Sequence, residues 1–218
     1  MAREKIEFTG AQGDKLAARL DIPTDRDEPR SYVLFAHCFT GSKDNLAAKR
    51  IARSLWLRGF AVFRFDFTGL GDSDGDFANT TFSSNVEDLV AAADYLREHK
   101  KAPTILIGHS LGGAAVISAA GKIPEVKAVC TIGAPSDPAH VTHHFGEAKD
   151  KMKRDGEAEV CVGGRSFKLK RSFLDDLEWQ SQKVCIENLK KGLLVFHSPI
   201  DDIVGIENAA QILSLIHI

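Results

Sequence analysis

The sequence predicts an α/β fold in which a mostly parallel β-sheet is covered by helices on both faces. Apolar, β-branched segments of strand length alternate with segments of helical spacing along most of the 218 residues. A strand that is apolar throughout is buried on both faces, and helical crossovers make neighbouring strands parallel. A second observation is the run GHSLGG at 108–113, which lies where a strand pattern meets a helical pattern.

The predicted elements begin with an antiparallel hairpin, because strand patterns at 6–8 and 16–22 flank a turn signal. Later apolar segments predict strands at 32–36, 60–65, 104–107, 126–132 and 193–196. Helical spacing predicts helices at 45–58, 86–99, 114–120 and 205–213. The residue types before the helix at 86–99 nominate an N-cap at Ser83, Ser84 or Asn85.

The alternation of strands and helices breaks between residues 136 and 191, here called the cap. Helical patterns at 140–154 and 173–189 flank a hairpin at 159–170 with the turn Gly163-Gly164. An insertion at this point is expected to cover the active site. Its apolar side chains either line a substrate pocket or pack the cap onto the core, and the pocket candidates are Phe145, Phe167 and Phe173, together with Cys38 from the core.

Composition narrows the class of protein. Lys and Arg number 28 against 30 Asp and Glu, for a formal net charge of −2, so no charge imbalance points to a nucleic-acid partner. The N-terminus is charged and lacks the apolar core of a signal peptide, and no apolar run is long enough to cross a bilayer. We therefore expect a cytoplasmic protein with no membrane partner. The cysteines lack C-x-x-C spacing and are expected to be reduced thiols: Cys38, Cys130, Cys161 and Cys185.

A serine at the centre of G-x-S-x-G, between a strand and a helix, is typical of the nucleophile elbow of α/β-hydrolases. Ser110 is therefore the predicted nucleophile, and Gly108 and Gly112 allow strand and helix to approach closely. The amide of Leu111, at the helix N-terminus, is the first predicted oxyanion donor. The second is expected from the loop after residues 32–36, as the amide of Phe39 or, alternatively, of Cys38.

The acid of such a site follows a later strand, in the chain order Ser, Asp, His. Asp201 is the predicted acid and Asp202 is the alternative. No histidine of the chain has the expected position: His109 lies beneath the serine, His217 is too close to the end of the last helix, and His140, His143 and His144 lie in the cap without a rigid mount. We therefore expect the catalytic histidine beyond this chain, and almost no hydrolysis by the chain itself.

No cofactor is expected. The turn that contains Gly69 and Gly71 lacks the third glycine of a dinucleotide fingerprint. Asp66 and Ser73 are therefore assigned to loop structure, with ligand contact as the lesser alternative. No residue pattern predicts a metal site.

Four segments resemble a known family: FAHCFT at 35–40, RFDFTGLG at 64–71, FSSNV at 82–86 and HSP at 197–199. They are similar to the hydrolase domain of bacterial bifunctional proteins that join an α/β-hydrolase domain to a C-terminal domain of the OsmC type. The resemblance covers about residues 6–212. It implies Ser110 as nucleophile, Asp201 as acid, a histidine after a downstream Gly-Ala-Asp pattern, and an OsmC-type domain in cis. It implies esterase-like or serine aminopeptidase-like hydrolysis of a small molecule and no particular substrate.

The last six residues, LSLIHI at 213–218, depart from that family pattern. They match the translation of a mosaic-end adapter used in sequencing libraries. We therefore expect residues 1–212 to be an α/β-hydrolase domain cut before its last strand and helix, and residues 213–218 to be translated adapter.

Two functions of different classes remain. The first is a serine hydrolase acting on an ester, thioester or amide. The second is a non-catalytic ligand-binding or scaffold domain fused to an OsmC-type peroxidase domain. The presence of both Ser110 and Asp201 favours the hydrolase.

Overall fold

The structure, a computed structural model, describes residues 2–39, 41–162 and 164–216. Its strands are β1 (Ala2–Thr9), β2 (Lys15–Ile22), β3 (Tyr32–Ala36), β4 (Ala61–Phe65), β5 (Ile105–His109), β6 (Ala128–Ile132), β7 (Glu157–Val162), β8 (Arg165–Lys170) and β9 (Gly192–Phe196). Its α-helices are α1 (Leu46–Trp56), α2 (Phe82–His99), α3 (Leu111–Ala120), α4 (Ala148–Asp155), α5 (Arg171–Trp179), α6 (Gln182–Glu187) and α7 (Glu207–Leu215).

Seven of these strands form the main sheet, in the order β1-β2-β4-β3-β5-β6-β9. The pairs β3–β4, β3–β5, β5–β6 and β6–β9 are parallel, whereas β1–β2 and β2–β4 are antiparallel. All five residues of β3 and of β4 are buried, as expected for strands covered on both faces. The predicted fold class, with its antiparallel N-terminal hairpin, is confirmed.

The two faces of the sheet carry separate apolar clusters. On one face, Leu34 of β3 belongs to the large cluster that includes the buried side chains of α2 and α3. On the other, Val33 and Phe35 pack with Ala48 and Ala52 of α1. Successive strand residues point to opposite faces, so one apolar strand supplies both clusters.

On the face of the sheet that α1 covers, an apolar groove of about 620 Å³ lies beside α1 and over β5, β6 and β9. Leu194 and Phe196 of β9 line it and remain 55% and 54% exposed. Their neighbours Leu193 and Val195 point the other way and pack against the large cluster. The alternation in β9 therefore exposes one apolar face of that strand.

The cap differs from the sequence prediction in its helices. The prediction of a single helix at 140–154 is wrong. A 3₁₀ helix, Pro138–His144, is followed by Gly146 at φ 51°, and α4 starts only at Ala148. The single helix expected at 173–189 is also wrong, because Gln180 is extended and separates α5 from α6. The hairpin is present as β7 and β8, and Gly163 of its predicted turn lies outside the described residues.

The start of α2 also differs from the prediction. The N-cap is Thr81, not one of the three later residues Ser83, Ser84 and Asn85. The Thr81 side chain accepts from the Ser84 amide at 3.1 Å, and the Ser84 side chain accepts from the Thr81 amide at 2.9 Å. This reciprocal pair is a capping box in which serine replaces the more usual Glu or Gln.

Candidate active site

Ser110 lies on the turn between β5 and α3, in a backbone conformation that serine rarely adopts. Its φ is 54° and its ψ is −125°. Such a conformation costs about 1–3 kcal/mol and persists only where the surroundings hold it. Here the Ser110 amide donates to the Ile132 carbonyl at 2.9 Å, and the Gly113 amide donates to the Ser110 carbonyl at 2.7 Å.

Glycine is required on both sides of this turn. A Cβ on Gly108 would lie 2.2 Å from the Gly112 carbonyl oxygen, and one on Gly112 would lie 2.4 Å from the His37 carbonyl oxygen. Both obstacles are backbone atoms that side-chain rotation cannot move. The close approach expected from the G-x-S-x-G spacing is therefore present. It also brings the loop that begins at His37 after β3, here called the β3 loop, against the start of α3.

We expect Gly112→Ala to destabilise the protein by about 1–3 kcal/mol, because the methyl group must push the β3 loop away from α3. Gly121→Ala is the matched control at the end of the same helix, where the nearest atom to a new Cβ is 3.9 Å away. Urea unfolding measures both. Equal effects of the two substitutions would contradict this reading of the elbow.

A cavity of about 380 Å³ opens at the carboxyl ends of the strands above Ser110. It brings together Ser110, Leu111, Phe39, Cys38 and Asp201, which the sequence had nominated from three separate segments. Leu111 is the first residue of α3, so its amide has no partner within the helix. The remaining lining residues are His109, Gly133, Pro135, His140, Val141, His144, Cys161, Ile203 and Val204.

Asp201 is held in a tight turn after β9. One carboxylate oxygen accepts from the amides of Ile203 and Val204, each at 3.0 Å. The other faces Gly133, where a Cβ would lie 3.2 Å away. Asp201 lines the same cavity as Ser110. Burial lowers the pKa of His109, and the charge of Asp201 partly opposes that shift. Asp202, the alternative acid, is exposed and does not line the cavity.

Two of the described histidines near the site hold loop carbonyls. His140 donates from Nε2 to the Ile203 carbonyl at 3.1 Å, and His197 donates from Nε2 to the Val204 carbonyl at 2.6 Å. Nε2 of His144 is buried and has no hydrogen-bond partner among the described residues. His143 is exposed and absent from the lining, and His217 lies outside the described residues.

The cap phenylalanines nominated for the substrate pocket do not line this cavity. Phe173 packs against Phe39 with ring centroids 5.4 Å apart, and Phe167 does so at 6.3 Å. Phe145 in turn contacts Phe173 at 6.3 Å. The structure places all three where they join the cap to the loop that carries Phe39, which was the alternative stated for them. Cys38 lines the cavity.

Sequence reasoning missed a buried charged network beside the site. Asp66 accepts from the Lys43 amide at 2.5 Å, from the Lys43 ammonium at 2.6 Å and from the Asp72 amide at 2.9 Å. Asp66 is 0% exposed and Lys43 only 3%. Arg64 is also buried, donating to the Lys43 carbonyl and, at 2.8 Å, to Asp21. The sequence did contain one signal of this network: Arg64 is a charged residue inside an otherwise apolar strand.

Loop structure accounts for the other polar residue of that region. The Ser73 hydroxyl donates to the Asp66 carbonyl at 2.6 Å and accepts from the Ala17 amide at 2.9 Å.

All four cysteines are free thiols. Burial raises the pKa of Cys130 to about 11. No group of three or more His, Cys, Asp or Glu residues in the described parts of the chain is arranged to hold a metal ion. Within those parts, too, every helix is too short or too polar to cross a membrane.

A serine on a strained strand-to-helix turn, at the carboxyl edge of a parallel sheet, defines the α/β-hydrolase class. Comparison with protein families gives a narrower result. Residues 27–152 match the family described as serine aminopeptidase, S33, and the chain belongs to this family.

Solved structures agree with that class. The esterase domain of a Rhodothermus marinus protein is 48% identical, with a TM-score of 0.80 over 100% of this chain and 85% of that one. Est1E from Butyrivibrio proteoclasticus, solved with ferulic acid, is 23% identical, with a TM-score of 0.78 over 96% of this chain and 85% of that one. At this identity Est1E supports the fold alone.

Curated relatives match a shorter segment. The mitochondrial palmitoyl-protein thioesterase ABHD10 of Homo sapiens is 33% identical over 112 residues, which are 51% of this chain and 34% of that protein. The mouse protein matches over 50% of its own length. The chain thus spans about a third to a half of the curated relatives that it matches.

Proposed function

We propose that this protein is a serine hydrolase that cleaves carboxylic esters or thioesters, with amides as a further substrate class. The observation that carries the proposal is Ser110, held at φ 54° beneath a cavity that it shares with Asp201. The Rhodothermus relative is described as an esterase and the human relative as a thioesterase, which supports acyl transfer from oxygen or sulfur. The proposal includes a cytoplasmic location and an OsmC-type partner domain in cis, both taken from the sequence.

The proposed reaction has two halves. Ser110 Oγ attacks the substrate carbonyl carbon while an imidazole takes the hydroxyl proton, and Asp201 orients that imidazole. The amides of Leu111 and Phe39 stabilise the oxyanion. The bond to the leaving alcohol or thiol then breaks, and the leaving group takes the proton. Water hydrolyses the acyl-serine by the same steps, which releases the acid and restores Ser110.

The imidazole in this proposal comes from a histidine outside this chain. His140 and His197 use Nε2 to hold carbonyls of the loop that follows Asp201. His109 and His144 line the cavity, but His109 lies within β5 beneath the elbow and His144 is on the 3₁₀ helix of the cap. His144 is therefore the cap histidine to test as an alternative base.

Free imidazole tests this assignment, because it can enter the cavity in place of a tethered ring. The measured quantity is p-nitrophenyl acetate hydrolysis with increasing imidazole, after subtraction of imidazole alone. We expect a low rate without imidazole and a saturable increase with it. Strong hydrolysis without imidazole that His144→Ala abolishes would show that the base is in the cap. A protein that adds nothing to the imidazole blank would support the non-catalytic ligand-binding alternative.

We expect Asp201→Asn to lower the imidazole-dependent rate by more than about tenfold, because the amide stabilises an imidazolium poorly. The loss should remain below the ~10⁴-fold seen when a tethered histidine is held in the wrong tautomer, since free imidazole can reorient. Asp202→Asn is the matched control and should leave the rate unchanged. The opposite order, with Asp202→Asn the more damaging change, would make Asp202 the acid.

A further inference from the structure

His37, the first residue after β3, is buried to 1% exposure and has no part in the steps proposed above. Its Nδ1 lies 2.7 Å from the Cys38 carbonyl oxygen, and its Nε2 lies 3.4 Å from the Phe67 amide nitrogen. A carbonyl only accepts and an amide N–H only donates, so Nδ1 carries the proton and Nε2 is bare. Burial lowers the pKa of His37, and the hydrogen bond to the Cys38 carbonyl and the charge of Asp66 oppose this shift only in part. The ring is therefore neutral, with one defined tautomer.

The Cys38 carbonyl accepts a second hydrogen bond, from the Gly41 amide at 2.8 Å. This carbonyl and the Phe39 N–H belong to the same planar, trans peptide unit, and they point in opposite directions. Two donors that hold the carbonyl therefore also fix the direction of the Phe39 N–H. Phe39 and Ser110 line the same cavity.

We propose that His37 is a positioning residue, whose Nδ1–H aims the Phe39 amide at the oxyanion formed when Ser110 attacks. This rests on the function proposed above. Oxyanion donors act because they are held within about 0.5 Å of the productive geometry before charge develops. A hydrogen bond from a buried, neutral ring supplies that constraint on one side of the peptide unit.

The ring is itself held from several elements. The Phe67 ring meets it edge-on, with centroids 4.9 Å apart, and an Asp66 carboxylate oxygen lies 3.9 Å from Nε2. The other charged or titratable groups that act on it are Lys43 and His109. Space at Gly41 is limited, since a Cβ there would lie 2.9 Å from the Cys38 sulfur and 3.2 Å from both the Cys38 carbonyl oxygen and Nδ1 of His37. These contacts restrict rotation of the peptide unit between Cys38 and Phe39.

The test compares His37→Leu, which removes the donor, with His37→Asn, whose side-chain amide can donate from nearly the position of Nδ1. Both are assayed by imidazole-dependent ester hydrolysis and by urea unfolding. We expect His37→Leu to lower the maximal rate by about 10- to 100-fold at unchanged KM, somewhat less than deletion of an oxyanion donor. We expect His37→Asn to recover most of that loss at similar stability.

A second pair of variants tests the same peptide unit without altering His37. Gly41→Ala crowds the Cys38 side chain and its carbonyl oxygen, and it should lower the maximal rate because the carbonyl must shift. Gly192→Ala, where the nearest atom to a new Cβ is 3.6 Å away, should not change it. Equal rates for the leucine and asparagine variants, or a rise in KM alone, would overturn the role of His37 while leaving the hydrolase proposal intact. Absence of any Ser110-dependent rate in the unaltered protein would overturn both.

Discussion

Ser110→Ala is expected to remove the imidazole-dependent hydrolysis of p-nitrophenyl acetate down to the rate of imidazole in solution. Without Oγ no acyl-enzyme forms, and the oxyanion amides can assist only direct attack by water. Removal of the nucleophile in serine hydrolases costs up to about 10⁶-fold, so we expect a loss of at least about 10³-fold here. No other single substitution considered should have so large an effect on rate.

Ser118→Ala is the matched control for this prediction. It makes the same chemical change on α3, at a hydroxyl that donates to Gln182 at 2.8 Å and does not line the cavity. Its rate should equal that of the unaltered protein. Ser110→Ala should also fold as well as the parent, since alanine meets the same backbone strain at φ 54° as serine. A Ser110→Ala protein that keeps the imidazole-dependent rate would place the nucleophile elsewhere.

Asp66→Ala is expected to reduce the free energy of unfolding by about 3–5 kcal/mol, because it leaves the buried Lys43 ammonium without its buried partner. Burial alone would lower the pKa of Lys43, but the Asp66 and Asp72 carboxylates raise it above its ordinary value. The ammonium therefore stays charged, and in the variant only the more exposed carboxylates of Asp72 and Asp44 remain to compensate its desolvation. The amides of Lys43 and Asp72 lose an acceptor as well.

The control for this substitution is Asp72→Ala, which removes an exposed carboxylate at the same distance, 2.6 Å, from the same ammonium. The Asp72 carboxylate is 72% exposed, and water replaces it at a cost below about 1 kcal/mol. Urea unfolding measures the loss of unfolding free energy in both variants. Similar losses for the two would mean that the buried carboxylate does not anchor the β3 loop to the loop after β4.

The order of strands and helices and the position of the elbow could be predicted because both depend on local patterns. Apolar runs predicted β3, β4 and β9 to within a residue or so. The convergence of Ser110 with Asp201 follows from topology, since the carboxyl ends of parallel strands meet at one edge of the sheet. These inferences need no knowledge of side-chain partners.

The contacts that sequence reasoning missed join residues far apart in the chain. Lys43 and Asp66 are 23 positions apart, and no periodicity records that pairing. Likewise the choice between pocket and packing for Phe173 depended on where Phe39 would lie. The prediction of one helix at 140–154 was wrong for a local reason. The helical pattern continues through Gly146, but the backbone turns there at positive φ.

The most direct test is to treat the protein with a fluorophosphonate in the presence of imidazole and to locate the adduct by mass spectrometry. The serine oxygen displaces fluoride from phosphorus, so a stable adduct marks the activated nucleophile. We expect one adduct, on Ser110, that forms faster with imidazole and is absent from Ser110→Ala. No adduct under these conditions, or an adduct on a residue other than Ser110, would contradict the proposed mechanism.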